Sequence, residues 1–137
     1  MFASHRPAAS YRKLDLETAV AQADPHALVA MLYDGALAAI ARARSAIADA
    51  NEPALRGSAT TRALRILEEG LKASLDPRGG EIASNLRILY DHMILRLLSA
   101  NAHADDAAYA EVAAMLQQLR EAWQGIAPQA RRATAAA

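Results

Sequence analysis

The sequence predicts an all-α protein, an antiparallel four-helix bundle with a short N-terminal helical cap, and three observations support this. The chain has 137 residues, the size of one domain with one core. About a quarter of it is Ala, Leu is abundant, and there are only 6 Gly and 5 Pro, whereas the aromatics that favour sheet make up 4%. Finally, apolar residues recur at three-and-four spacing in long segments, separated by short breaks at Asp24-Pro25, Asn51-Glu52-Pro53, Asp76-Pro77-Arg78-Gly79-Gly80 and residues 101–106. Long helices joined by short connections pack as antiparallel neighbours.

Residues 1–13 and 127–137 carry no hydrophobic period and are expected to be flexible ends, leaving 14–126 as the folded domain. Residues 14–23 form a short helix with Leu16, Val20 and Ala23 on one side. That stripe is too narrow to hold an isolated helix in water, so this helix must dock on the rest.

Asp24 caps the next helix and Pro25 suits its first position, where a missing N–H costs nothing. Over 26–50 the expected core stripe is Leu28, Leu32, Ala36, Ala39, Ala43 and Ile47. Val29, Tyr33, Leu37 and Ile40 flank it, and Ala30, Ala38, Ala41 and Ala48 fill most of the back. The helix over 54–75 turns Leu55, Ala59, Ala63, Leu64, Ile66, Leu67, Gly70, Leu71 and Leu75 inward, with Arg65–Glu69 and Glu68–Lys72 paired outside. Over 80–100 the dense face is Ile82, Leu86, Leu89, Tyr90, Met93 and Leu97, while Ile88 and Leu95 project to the side of Asp91 and His92. The last helix, 106–126, buries Tyr109, Val112, Leu116, Leu119, Trp123 and Ile126.

Several function classes are excluded. The 15 basic and 15 acidic residues balance and are dispersed, so there is no footprint for nucleic acid. Without Cys there are no disulfides, thiolate nucleophiles or thiolate metal ligands. The N-terminus lacks the apolar core of a secretory signal, and the longest strongly apolar run, 27–33, is far below the roughly 20 residues that span a bilayer. The expectation is a cytoplasmic protein with no membrane insertion.

His5, His26, His92 and His103 have no metal-ligand spacing, and no Glu has a His three residues on, as a di-iron bundle requires. Gly79-Gly80 reads as a turn ahead of a helix, and Glu68-Glu69 and Asp105-Asp106 as solvated acids. Tyr90 and Trp123 sit at core spacing. No catalytic residue, metal or cofactor is expected. What remains is surplus apolar surface at Met31, Tyr33, Leu37, Ile40, Ile88 and Leu95, of the kind that seats a partner helix unless the N-terminal helix or a second copy covers it.

Six blocks agree in order with a known family: Ser10-Tyr11 with Glu17-Thr18-Ala19-Val20; Asp24-Pro25-His26 through Met31-Leu32-Tyr33-Asp34-Gly35; the stretch ending Leu71-Lys72-Ala73-Ser74-Leu75-Asp76; Gly79-Gly80-Glu81-Ile82-Ala83-Ser84-Asn85-Leu86; Leu89-Tyr90-Asp91-His92-Met93-Ile94-Leu95 on to Asn101; and Glu121-Ala122-Trp123. Over residues 11–126 the chain resembles the FliS family of flagellin export chaperones. It departs at Asp24, where the family often has Ser or Thr, and at His92, where an aromatic is common.

The resemblance implies a chaperone, not an enzyme, that binds the disordered C-terminal segment of flagellin, prevents premature polymerisation and presents the subunit to the flagellar type III export gate. It implies a flagellin-binding groove of Met31, Leu32, Tyr33, Leu37, Ile40, Ile88 and Leu95, and an N-terminal plug in which Tyr11, with Leu16 and Val20, folds back on that groove. An export-gate protein and an anti-sigma factor are further candidate partners, and a monomer or weak homodimer is the expected state. The rival reading is a general secretion adaptor that hides its spare apolar stripes in a homodimer.

Overall fold

Asp24 starts the first helix, its carboxylate accepting from the Ala27 N–H at 2.7 Å, and Pro25 follows at the first helical position. The computed structural model describes residues 24–49 and 52–126. The short helix expected over 14–23, the plug residues Tyr11, Leu16 and Val20, and the ends 1–13 and 127–137 lie outside the described residues.

Helix α1 (Pro25–Asp49) is followed by α2 (Pro53–Arg65), again with Pro at its first position, which runs on into a π-helical segment, Ile66–Lys72. A single 3-10 turn, Pro77–Gly79, is held by Asp76, whose carboxylate accepts from the Arg78 N–H at 2.9 Å. Gly80 has φ +63°, which suits glycine, and opens α3 (Gly80–His103). Helix α3 runs past the break expected at 101–106. It ends in a Schellman turn, with Ala104 left-handed at φ 49° and the Asp105 N–H donating to the Ala100 carbonyl at 2.9 Å. Asp105 then caps α4 (Asp106–Gly125), accepting from the Ala108 N–H at 3.3 Å.

The four helices form a ring in which α1 packs on α2 and α4, and α3 on α2 with its π segment and on α4. Contacts at both ends fix the α1–α4 pair as antiparallel. His26 at the start of α1 stacks on Trp123 at the end of α4, centroids 4.6 Å apart, and Arg44 near the end of α1 pairs with Asp106 at the start of α4 at 2.8 Å. The His26–Trp123 pair is also hydrogen-bonded both ways. The indole N–H donates to the His26 carbonyl at 2.8 Å, and His26 Nε2 lies 2.7 Å from the Trp123 carbonyl, so Nε2 carries the proton.

The core is built from Tyr33, Ala36, Ala39, Ile40 and Ala43 of α1, Ala63, Leu67 and Leu71 of α2 and its π segment, Tyr90, Met93, Leu97 and Ala100 of α3, and Ala108, Tyr109, Val112 and Leu116 of α4. The α1 face is therefore rotated from the expected one, so that Leu28, Leu32 and Ile47 stand half-buried at its margin and Tyr33 and Ile40 turn inward. Alanines at 36, 39, 43 and 46 let the neighbouring helices approach closely, and the larger Tyr33 and Ile40 fill the centre. Three side chains assigned inward, Leu55, Ile82 and Ile126, are exposed, Ile82 by 74%. Leu55 and Ile82 stand in the first turns of α2 and α3, and Ile126 just past the end of α4. The π segment places Gly70 against Leu32, where a Cβ would lie 2.8 Å from Leu32 Cδ2, so a side chain at 70 would have to displace Leu32.

Two hydroxyl bonds cross the interior along its diagonals. Tyr33 and Tyr90 join α1 to α3 at 2.7 Å, and Thr60 and Tyr109 join α2 to α4 at 2.7 Å, Thr60 also donating to the Arg56 carbonyl at 2.7 Å. No buried side-chain N or O among the described residues lacks a partner. Tyr90→Phe leaves the Tyr33 hydroxyl unpaired and is expected to cost about 1–3 kcal/mol, and Tyr33→Phe/Tyr90→Phe less than the sum of the single changes. Urea melts of the four chains in that cycle measure the difference.

Burial raises the Tyr33 hydroxyl above its ordinary value, and for Tyr90 the bond to Tyr33 adds to burial. Burial raises Tyr109 as well. The fold thus favours the protonated phenols, and this contribution is complete below about pH 10, the ordinary phenol value, and is lost as pH rises from there toward the folded-state values. The urea midpoint should accordingly be insensitive to these groups between pH 7 and 9 and fall above about pH 10, less steeply in the double variant.

Candidate partner-binding surface

Helix α3 has two apolar faces. Tyr90, Met93 and Leu97 face the core, and on the opposite side Ile88 and Leu95, seven residues apart, are 68% and 67% exposed, joined three residues on by Leu98 at 49%. The seven-residue spacing is two helical turns, so the three side chains form one strip along the outside of the bundle. Leaving aliphatic side chains in water forgoes roughly 1.5–3 kcal/mol each relative to burial, so such a strip is a site in waiting for an apolar partner.

Ion pairs border the strip on both sides. Toward α2, Lys72 binds Asp91 at 2.7 Å and Glu68 at 3.3 Å. Toward α4, Glu111 takes Arg96 at 2.8 Å, with His92 Nε2 at 3.8 Å. Asp91, more than Glu68, holds the Lys72 ammonium above its ordinary value, and Glu111 does the same for the Arg96 guanidinium. These exposed pairs add little stability, but they fix α3 against its neighbours and frame the apolar strip with charge.

The residues expected to form one groove do not come together. Ile88 and Leu95 share the outer face of α3. Met31 is exposed and Leu32 and Leu37 half-buried on α1, the helix diagonally across the bundle. Tyr33 and Ile40, expected as contact residues, are 3% and 1% exposed and belong to the core. The physical reason is the rotation of α1, which turns both into the core cluster, where the Tyr33 hydroxyl meets that of Tyr90. Leu98 was not singled out in the sequence. The signal was present, since it follows Leu95 by three residues, but the adjacent Leu97 and Leu98 give a helical pattern two faces to choose from.

Among the described residues no group of three or more His, Asp or Glu side chains could hold a metal ion. Helix α1 is long and apolar enough in composition to cross a membrane, although the sequence reading found no such stretch. Its Tyr33, Ala36, Ala39, Ile40 and Ala43 belong to the bundle core, and Asp34 pairs with Arg120, and Arg44 with Asp106, on its outside.

Comparison with known proteins gives one family. The family model described as "Flagellar protein FliS" matches residues 7–130. The chain is 46% identical over 122 residues to the flagellar secretion chaperone FliS of Salmonella typhimurium, covering 88% of this chain and 90% of the relative. It is 38% identical over 115 residues to the flagellar secretion chaperone FliS of Escherichia coli, 83% and 84% covered, and 38% identical over 117 residues to FliSB of Pseudomonas aeruginosa, 85% and 91% covered.

Proposed function

This chain belongs to the FliS family, a family of flagellar secretion chaperones and not of enzymes, and from that premise we propose that it binds the C-terminal segment of flagellin in the cytoplasm, keeps subunits from polymerising early and presents them to the flagellar type III export gate. The observation that supports this best is the outer strip of Ile88, Leu95 and Leu98. A segment disordered on its own can fold as an amphipathic helix on such a strip, its apolar anchors matched to the spacing of the three residues. Met31, exposed, and Leu32 and Leu37, half-buried on separate flanks of α1, offer further apolar surface that a long wrapping segment can reach and a single short helix cannot.

Ordering the segment costs part of the interaction energy, which keeps affinity moderate and allows release at the gate without nucleotide hydrolysis. In the same reading Tyr11, Leu16 and Val20 act as a plug that competes for the apolar surface in the free protein. An anti-sigma factor would be a further partner.

The test is a titration of the full chain with flagellin and with flagellin lacking its C-terminal segment, followed by calorimetry and by sedimentation of polymer. The proposal expects a stoichiometric complex and suppressed polymer with intact flagellin and neither with the truncated one. Equal binding of the two would overturn it. Tyr11→Ala should bind as tightly or more tightly, and a large loss would make the N-terminal residues part of the binding site instead of a plug.

A further inference from the structure

A groove of about 940 Å³ runs between the outer sides of α1 and α2, away from the strip on α3. Its charge is polarised along its length. Arg42, Arg62 and Arg65 line one part, while Asp49 and Glu52 line the end at the α1–α2 connection. Four guanidiniums elsewhere have carboxylate partners: Arg44 with Asp106, Arg96 with Glu111, Arg120 with Asp34 and Arg78 with Asp76. Among the described residues none of the five groove charges is in an ion pair.

We infer that this groove seats an amphipathic helix of a second partner protein, distinct from the client segment on α3, with basic residues in its first half and acidic residues in its second. Ala and Ser on the floor permit the close backbone approach that helix packing needs. The ten residue steps from Ala39 to Asp49 span about 15 Å at 1.5 Å per step, room for roughly three helical turns. Charge sets the direction. A helix has its positive dipole end at the N-terminus, which belongs against Asp49 and Glu52, and its negative end belongs against the three arginines. The occupant therefore runs parallel to α2, as a fifth helix of the bundle. Opposite polarity would place like charges together at both ends, so the groove discriminates direction as well as composition.

The probe is a pair of 15-residue helical peptides with one Ala/Leu face and identical composition, one with Lys in the first half and Glu in the second, the other with the order reversed. Each is titrated into the full-length isotope-labelled protein and followed by amide shifts. The Lys-first peptide should bind at least tenfold more tightly, shift the amides of Ser45, Ser58 and Thr61, and weaken with salt. The exposed changes Arg62→Glu/Arg65→Glu should reduce or invert the preference while the circular dichroism spectrum stays that of the parent. Equal affinity for the two peptides, shifts mapping to α3 instead, or no binding to the full chain because its own N-terminal residues fill the groove, would each overturn the inference. Since the probe is not flagellin, these outcomes are independent of the flagellin titration.

Discussion

Ile40→Asp is expected to abolish cooperative folding at physiological temperature. Ile40 is at the centre of the bundle, 1% exposed, among Tyr33, Met93 and Leu97 in one apolar cluster with no base at hand to pair with a new carboxylate. The substitution both removes a packed aliphatic side chain and strands a charge, mechanisms that together cost about 4 kcal/mol or more. Single domains have only about 5–15 kcal/mol in reserve. Ile40→Val, which removes one methylene, should cost about 1 kcal/mol and keep a sharp transition. Melting followed by circular dichroism separates the cases. A native-like melt for Ile40→Asp would mean that the helix is rotated from the position described.

The second large effect is the reverse, a loss of binding without a loss of stability. In Ile88→Asp/Leu95→Asp both changes fall on side chains about two-thirds exposed, so the melting midpoint should stay close to that of the parent. Affinity for the flagellin segment should fall at least tenfold, since burying even one aliphatic side chain contributes roughly 1.5–3 kcal/mol and each factor of ten is about 1.4 kcal/mol. Calorimetric titration beside a thermal melt measures both. Unchanged affinity would remove α3 from the binding surface and return attention to Met31 and Leu37.

The contrast between these two variants marks how far the sequence could be read. Helix starts at Asp24, Pro25 and Pro53 were legible because each acts within a turn of its own position, whereas Asp105, read as a solvated acid, is the cap of α4. The four-helix architecture followed from segment length and short connections. The expected extra stripe at Ile88 and Leu95 is exposed, because on α3 the two apolar faces lie on opposite sides and only one can be core.

Helix α1 was harder. Alanine stands on nearly every side of it, so the pattern admits several rotations, and only the packing of Tyr33 against Tyr90 selects one. The π segment depends likewise on a tertiary fit, Gly70 against Leu32, that no propensity encodes. The groove charges were visible as separate arginines and acids. Their alignment became apparent only once α1 and α2 lay side by side.

The stacked pair at the end of the bundle makes the molecule its own optical instrument. Trp123 is the sole tryptophan of the chain, and its indole is held by the first turn of α1, one residue after Pro25. Its emission therefore reports on one place, the junction where the residues preceding Asp24 enter the helical frame. A ligand that rearranges the N-terminal residues will register there without a label, whereas one confined to the middle of α3 will leave the signal undisturbed.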